Sequence, residues 1–595
     1  MALTKVGKIL IAVVGIGGIF VGITVLKDKG IILKDTGSKA QVVGEVDLPT
    51  APSNAKETVP LAALPTGGNA SVAGPQFRLQ IWEWNAQYGL LYAVGGKTTA
   101  KGSLAEKYGV NIKLERQDMT DQMQASLIKF ATEYSKNPAT TEGFQGVVIM
   151  GDGAPQFLQG INPQLSKIGP EYRAEIVDIV GYSHGEDAFL GLPEWREDAQ
   201  KAKGAFIAAV IRDGDWNIAV QWAGANGIKV NPNEKTYDPD ALNFVNPTDY
   251  LDAAAKYIAG YSEDRPVVKN GIKTGETKHI TVNGVCTWTP GDVNIVEKKG
   301  GLVKIVSTKE YAAQMPAVVV VIKKWADDNR KVVTAFIQAV SEGANQVKSY
   351  SSALDFAGKV SADVYADQDG AYWTKYFKGE TKADKQGLNV ALGGSSVSNL
   401  SDNLNAFGLK DGSANTLKIV YNTFGDIDVK LYPILMPTYP SADSVIDGSF
   451  LKDVASATPA AQLASADVQK YSNTYDISQK ISEKAWAIEF QSGNANLTPK
   501  AAKTLDSIAN QSIIASGTRL KLTGYTDNVG NPASNVTLSQ ARAESVKAWL
   551  QAKYSSSFPD SRVSTDGQGD ANPIADNSSA LGRAKNRRVV VLMGK

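Results

Sequence analysis

Hydrophobic and polar positions divide this chain into distinct stretches. From Ile9 to Leu26 the residues are uncharged and mostly Ile, Val, Leu, Phe and Gly. Such a run just spans a hydrocarbon core as a helix. It is longer than the apolar core of a signal peptide, and Lys27-Asp28-Lys29 follows where a small-x-small cleavage site would stand. The pattern therefore predicts an uncleaved transmembrane anchor over 9–26 behind a short cytoplasmic N-terminus, 1–8. Residues 27–75 lose all periodicity and become rich in Pro, Ala, Gly and Ser, as in Leu48-Pro49-Thr50-Ala51-Pro52-Ser53. That composition predicts a linker, reaching about 40 Å as a flexible coil and about 150 Å fully extended.

From Phe77 short apolar runs alternate with helical ones. Phe77–Trp82, Asn111–Glu115 and Gly146–Met150 read as strands. Between them a helix over Asp121–Tyr134 places Met123, Leu127 and Phe130 on one face. A further strand lies within Gly204–Val210. Met315–Val321 forms another, running into a long helix that reaches about Val347. This alternation predicts parallel sheets with helices on both faces, and ligands in such sheets sit beyond the carboxyl ends of the strands. Tyr237–Tyr250 and Val267–Asp292 read as insertions on this scaffold. Residues 441–483 hold a second Ala/Ser-rich linker, with helical potential around Ala464–Asp467.

Composition narrows the function classes. The chain has 595 residues, 43% apolar and 21% charged, with a formal net charge of +1. That is ordinary globular composition, and no global basic field points to nucleic acid. The single cysteine, Cys286, excludes an intrachain disulfide, and with it two histidines, His184 and His279, leave little for metal or triad chemistry. No P-loop, G-x-S-x-G elbow or H-E-x-x-H is present. His184-Gly185-Glu186-Asp187 crowds its ligands into one short stretch and reads as a solvated loop. Trp216 and Trp222 read as core. The chain is read as non-enzymatic, with no cofactor and no metal.

The element order over 76–440 resembles type II periplasmic solute-binding proteins, in particular the nitrate, sulfonate and thiamine-precursor-like branch. The resemblance implies two lobes with a small solute between them. Strand-end geometry nominates Trp84 and Asn85 after the first strand, Asp152 and Gly153 after the third, and Tyr182 and Ser183 after the fourth. Trp84 and Tyr182 serve equally as core or hinge packing. Gly151-Asp152-Gly153-Ala154 offers amides to an anion at a helix start, although Asp152 would repel a phosphate.

Near the end stands Gly524-Tyr525-Thr526-Asp527-Asn528-Val529-Gly530, then Asn535, then Leu538-Ser539-Gln540-Ala541-Arg542-Ala543. Ile488-Glu489-Phe490 reads as an opening strand, Asn494–Pro499 as the start of a helix, and Gly582–Val589 as the close of the domain. This set resembles the OmpA-like peptidoglycan-binding family and places such a domain at 484–595. The resemblance implies that Asp527 and Arg542 clamp the diaminopimelate of a stem peptide, with Thr526, Asn535 and Arg587 in support. A carboxylate accepts from the ammonium of that ligand. A guanidinium grips its carboxylate through two parallel bonds that lysine cannot imitate. Tyr525 departs from the family, which often has His there. From Lys484 onward there are 14 Lys and Arg against 8 Asp and Glu, a balance suited to an anionic wall polymer.

The whole is expected to be an α/β protein. It would carry an N-terminal transmembrane helix, a two-lobed periplasmic-binding-protein-like domain and a C-terminal OmpA-like domain. It would be single-pass in the inner membrane with those domains in the periplasm. Gly18 and Gly22 form a G-x-x-x-G step on which two anchors can meet as a homodimer. The alternative is a stator-like or scaffold subunit that partners a membrane channel or motor. Residues 9–26 hold no carboxylate for a proton relay, which counts against proton drive but not against a passive partner.

Overall fold

The computed structural model describes residues 59–459, 469–471, 477–491 and 493–595. The expected anchor 9–26, the linker up to residue 58 and the segment Ala464–Asp467 lie outside them. Among the described residues no helix is long and apolar enough to cross a membrane.

Two six-stranded sheets form the two lobes. The first runs Ser395–Val397, Ala174–Ser183, Pro316–Ile322, Gly146–Met150, Gln76–Ile81, Asn111–Arg116. Every residue of Gly146–Met150 and Pro316–Ile322 is buried. This is why both read as unbroken apolar runs rather than alternating ones. Helix Thr120–Tyr134 buries Met123, Leu127 and Phe130 as its 3.6-residue period requires. The sheet is mixed where parallel pairing was expected. Pro316–Ile322 re-enters from the second lobe and therefore runs antiparallel to both neighbours, while the Gln76–Ile81 pairings are parallel.

The second sheet runs Val303–Ser307, Ala188–Gly191, Gly284–Thr287, Phe206–Ala208, Ala241–Val245, Lys229–Val230. The segments expected as insertions supply two of its buried strands, Ala241–Val245 and Gly284–Thr287. Only the hairpin Ser262–Lys269 with Ile272–Thr281 projects, its second strand almost wholly exposed. The chain crosses between the sheets from Ser183 to Ala188 and again from Ser307 to Pro316.

Both expected linkers are shorter than composition suggested. Val59 is buried, and Gln346 bonds to Pro60 O and Ala62 N across the outer face of the first lobe. Residues 441–459 are largely helical, and Ser449–Ala457 buries Phe450, Leu451 and Val454. Arg330 pairs with Asp453 there and lies over the Phe450 ring. Ala/Ser content hid the apolar face that docks this helix.

The C-terminal sheet runs Lys480–Trp486, Arg588–Gly594, Arg519–Tyr525, Val563–Gly567, with helices Ala502–Ile514 and Pro532–Lys553. Its first strand is Lys480–Trp486, not Ile488–Phe490. Phe490 makes only a lone bridge to Leu497. The true strand is a polar edge, as edges generally are, so it carries little apolar signal. This sheet and its helices rest on the 307–316 crossing. Glu310 pairs with Lys595, Gly517 N donates to Glu310 O at 3.1 Å, and Ala313 N donates to Ile514 O at 3.3 Å.

Candidate functional site

Two groups of polar side chains converge, one in the C-terminal domain and one between the lobes. In the C-terminal domain the Pro532–Lys553 helix lies directly on the sheet. A Cβ at Gly524 would collide with Ser539 O, and one at Gly567 would stand 2.5 Å from Gln540 N. This close seating brings Arg542, 7% exposed, toward the Asp527 turn. The turn is built by its own bonds. Val529 N donates to Asp527 Oδ1 at 3.1 Å, and Asn535 Nδ2 donates to Asp527 O at 3.3 Å. Asn531 caps the helix through Ala533 N and Ser534 N. Thr526 is buried with its backbone N bonded to Gly569 O, and its hydroxyl has no partner among the described residues.

Asp527 and Arg542 do not pair with each other. Arg587, at the end of the short Ala580–Asn586 helix, takes Asp527 Oδ2 at 2.6 Å. Arg542 lies 5.1 Å over the Phe490 ring, and among the described residues its only hydrogen bond runs from Nε to Asn494 O. Burial holds its pKa below the ordinary arginine value. The nearby Arg587 adds to that effect, and Asp527 opposes it. The structure thus joins Asp527 to Asn535 and Arg587 by hydrogen bonds and places Arg542 within electrostatic reach of Asp527 and Arg587, with Thr526 beside Asp527 in the chain.

Between the lobes, five of the six nominated residues meet. Trp84 Nε1 donates to Asp187 Oδ2 and Asn85 Nδ2 to Glu186 Oε1, both at 3.0 Å. Gln314 Nε2 donates to Asp152 Oδ2 at 2.9 Å, and Asn217 Nδ2 to Asp152 O at 3.2 Å. Ser183 Oγ stands 2.7 Å from Thr308 Oγ1 and accepts from Asp187 N. A Cβ at Gly153 would lie 3.2 Å from Asp213 Oδ1, so the first lobe abuts the second closely here. Tyr182 is the exception. It faces Asp402 and Thr416 on the far side of the first lobe, because adjacent residues of a strand point to opposite faces.

Residues that the sequence did not nominate dominate this cleft. Glu186 and Asp187, expected in a solvated loop, are fully buried at the crossing between lobes. Asp213 caps the helix Gly214–Ala225, Asp215 lies in its first turn, and Asp292 lies in the first turn of Gly291–Lys298. One ammonium, Lys304, answers them, 3.6 Å from Asp292 Oδ2 and bonded to Gly185 O. Burial pushes Asp152 up to about 8, with Asp213 and Asp187 adding to it. Burial also raises Asp187 and Asp213 to about 6 and lifts Glu186 and Asp215 well above the carboxylate range. Asp187 and Asp215 crowd together, and the charge of Asp187 adds to the rise of Asp215. Beside the cleft, Glu83 of the first lobe ties Arg116 at 2.7 Å to Tyr250 of the second at 2.7 Å. Trp288 Nε1 donates to Glu83 O.

Known proteins are similar to parts of this chain. Outer membrane protein A of Bordetella avium is 39% identical over 102 residues, 17% of this chain and 51% of that protein. Peptidoglycan-binding protein ArfA of Mycobacterium bovis is 36% identical over 106 residues, 18% of this chain and 32% of that protein. The chain therefore spans about half or less of the length of these relatives. The crystal structure of the periplasmic nitrate-binding protein NrtA from Synechocystis aligns with 67% of this chain and 93% of its own, at 13% identity and a TM-score of 0.42. Residues 489–587 match the OmpA family, and the C-terminal region of this chain belongs to it.

Proposed function

We propose that this chain is a non-enzymatic protein of the cell envelope. Its OmpA-family domain grips peptidoglycan, and its two-lobed region holds a small solute. The observation that carries the reading is the grouping of Asp527, Arg542 and Arg587 within that domain. The distal centre of diaminopimelate carries an ammonium and a carboxylate. Arg542 receives the carboxylate through its terminal nitrogens, and Asp527 receives the ammonium in place of Arg587. ArfA, a relative of this region, is named for peptidoglycan binding, which supports the assignment.

Solute binding rests on the two sheets joined by the 183–188 and 307–316 crossings, with polar side chains from both meeting between them. Anchoring rests on the uncharged run 9–26, which would hold the chain in the inner membrane with both regions in the periplasm. Co-sedimentation of the chain with purified sacculi tests the grip. Asp527→Ala and Arg542→Ala should each release it, and unchanged sedimentation of both would overturn the assignment. Intact mass of the mature protein tests the anchor, since a chain beginning after residue 26 would be unanchored.

A further inference from the structure

The interlobe cleft is short of hydrogen-bond donors. Three amides on its walls spend their N–H groups on acidic or carbonyl partners: Asn85 on Glu186, Asn217 on Asp152 O, and Gln314 on the Asp152 carboxylate. Those bonds fix which way each amide is turned. The opposite oxygens, Asn85 Oδ1, Asn217 Oδ1 and Gln314 Oε1, are buried with no donor reaching them. Asp152 Oδ1, Asp187 Oδ1 and Asp215 Oδ1 likewise receive no hydrogen bond from the protein, and without a ligand it is bound protons that relieve the crowded carboxyls. All six residues are at most 3% exposed. A buried acceptor without a donor is costly, and more so when it is charged. Six together specify a ligand rich in N–H.

We propose that the cleft binds a small organic cation, a primary ammonium or guanidinium, whose N–H groups bridge Asp187 at the crossing and Asp215 of the second lobe and reach Asp152 of the first. This deepens the solute-binding reading and rests on it. An anion is repelled by every orphaned oxygen. Among the described residues no three His, Cys, Asp or Glu side chains converge as a metal ion requires. A quaternary ammonium carries charge but no N–H, so it leaves the amide oxygens unanswered. A cation there also relieves the repulsion among the crowded carboxyls of Asp187, Asp213 and Asp215. Because the acceptors are sealed when the lobes are closed, the cation enters with the lobes apart and is covered as they meet.

The test is thermal unfolding and calorimetry of the full chain in detergent, with putrescine, spermidine and L-arginine as probes. Tetramethylammonium, nitrate, methanesulfonate and calcium, each as a separate salt, are the comparisons. At least one amine should raise the melting temperature through mass action, and tetramethylammonium should not. Asp215→Asn and Asp152→Asn should each weaken amine binding about 10- to 100-fold, while melting no lower than the parent without ligand. Neutralising a crowded carboxyl relieves repulsion, so lost binding in a stable variant marks a binding role rather than a structural one. A response only to nitrate or methanesulfonate overturns the cation and leaves solute binding standing, and a response only to calcium overturns the organic ligand. No response to any probe removes both, without touching sacculus binding.

Discussion

The acidic cleft makes stability depend on pH, and Asp152→Asn isolates one contribution. Asp152 is fully buried, and its carboxyl sits at about 8 in the folded chain against an ordinary 3.8. Gln314 and Asn217 donate to this residue, and Asp213 and Asp187 face it with charge of its own sign. A group raised on folding contributes stability that is complete below its unfolded value and is lost as pH climbs through its folded value. Each unit of pKa is worth about 1.4 kcal/mol. At pH 7 the folded chain must hold a proton that the unfolded chain has released, at a cost of about 4 kcal/mol, against about 2 kcal/mol at pH 5. Asparagine removes this cost, and its carbonyl still accepts from Gln314. Relaxation and water entry reduce the effect in real interiors. A gain of about 2 kcal/mol at pH 7.5, shrinking to less than about 1 kcal/mol at pH 5, is therefore expected. Urea unfolding of the two chains at both pH values, without amine, measures it. A variant that is less stable at pH 7.5, or an advantage that is equal at both pH values, would refute the reasoning.

Other outcomes follow from particular contacts. Arg542→Lys keeps the charge but loses the planar fork, so sacculus binding should fall by about tenfold or more with the fold intact, as read by circular dichroism. Tyr250→Phe removes the hydroxyl that donates to Glu83 Oε2 across the lobes; stability should drop by about 1–3 kcal/mol in urea unfolding. Gly517→Val puts a side chain against Lys309 O, where even a Cβ collides. The OmpA-family domain should then leave the 307–316 crossing, and small-angle scattering should show a larger radius of gyration.

What the sequence disclosed depended on how local each signal is. Met123, Leu127 and Phe130 declare a helix because their period is complete within one turn of the next. Gly146–Met150 and Pro316–Ile322 declare themselves because a strand buried on both faces has no polar positions to interrupt it. Gly284–Thr287 is too short for any period, and its burial comes from pairing with Ala188–Gly191, nearly a hundred residues earlier. Lys480–Trp486 is an edge strand held by its register with Arg588–Gly594, which no pattern within seven residues can announce. The same distinction separates the two sites. Asp527 and Arg542 are set by one turn and one helix, so their spacing carries the information. Asp187 and Asp215 become a site only when two lobes close, and in sequence each is simply a charge beside a glycine-containing turn. Tyr182 and Ser183 show the limit of the strand-end rule, which finds the right place on the chain but not the face.

The 307–316 crossing joins these lessons. Thr308 and Gln314 turn toward the interlobe side, where Thr308 meets Ser183 and Gln314 meets Asp152. Glu310 and Ala313 present the other side to Lys595, Gly517 and Ile514 of the OmpA-family domain. Lobe opening is absorbed by backbone torsions at such crossings. A hinge that is hydrogen-bonded on both sides cannot rotate without disturbing one set of bonds. The cost of opening the cleft therefore includes the contacts that dock the OmpA-family domain.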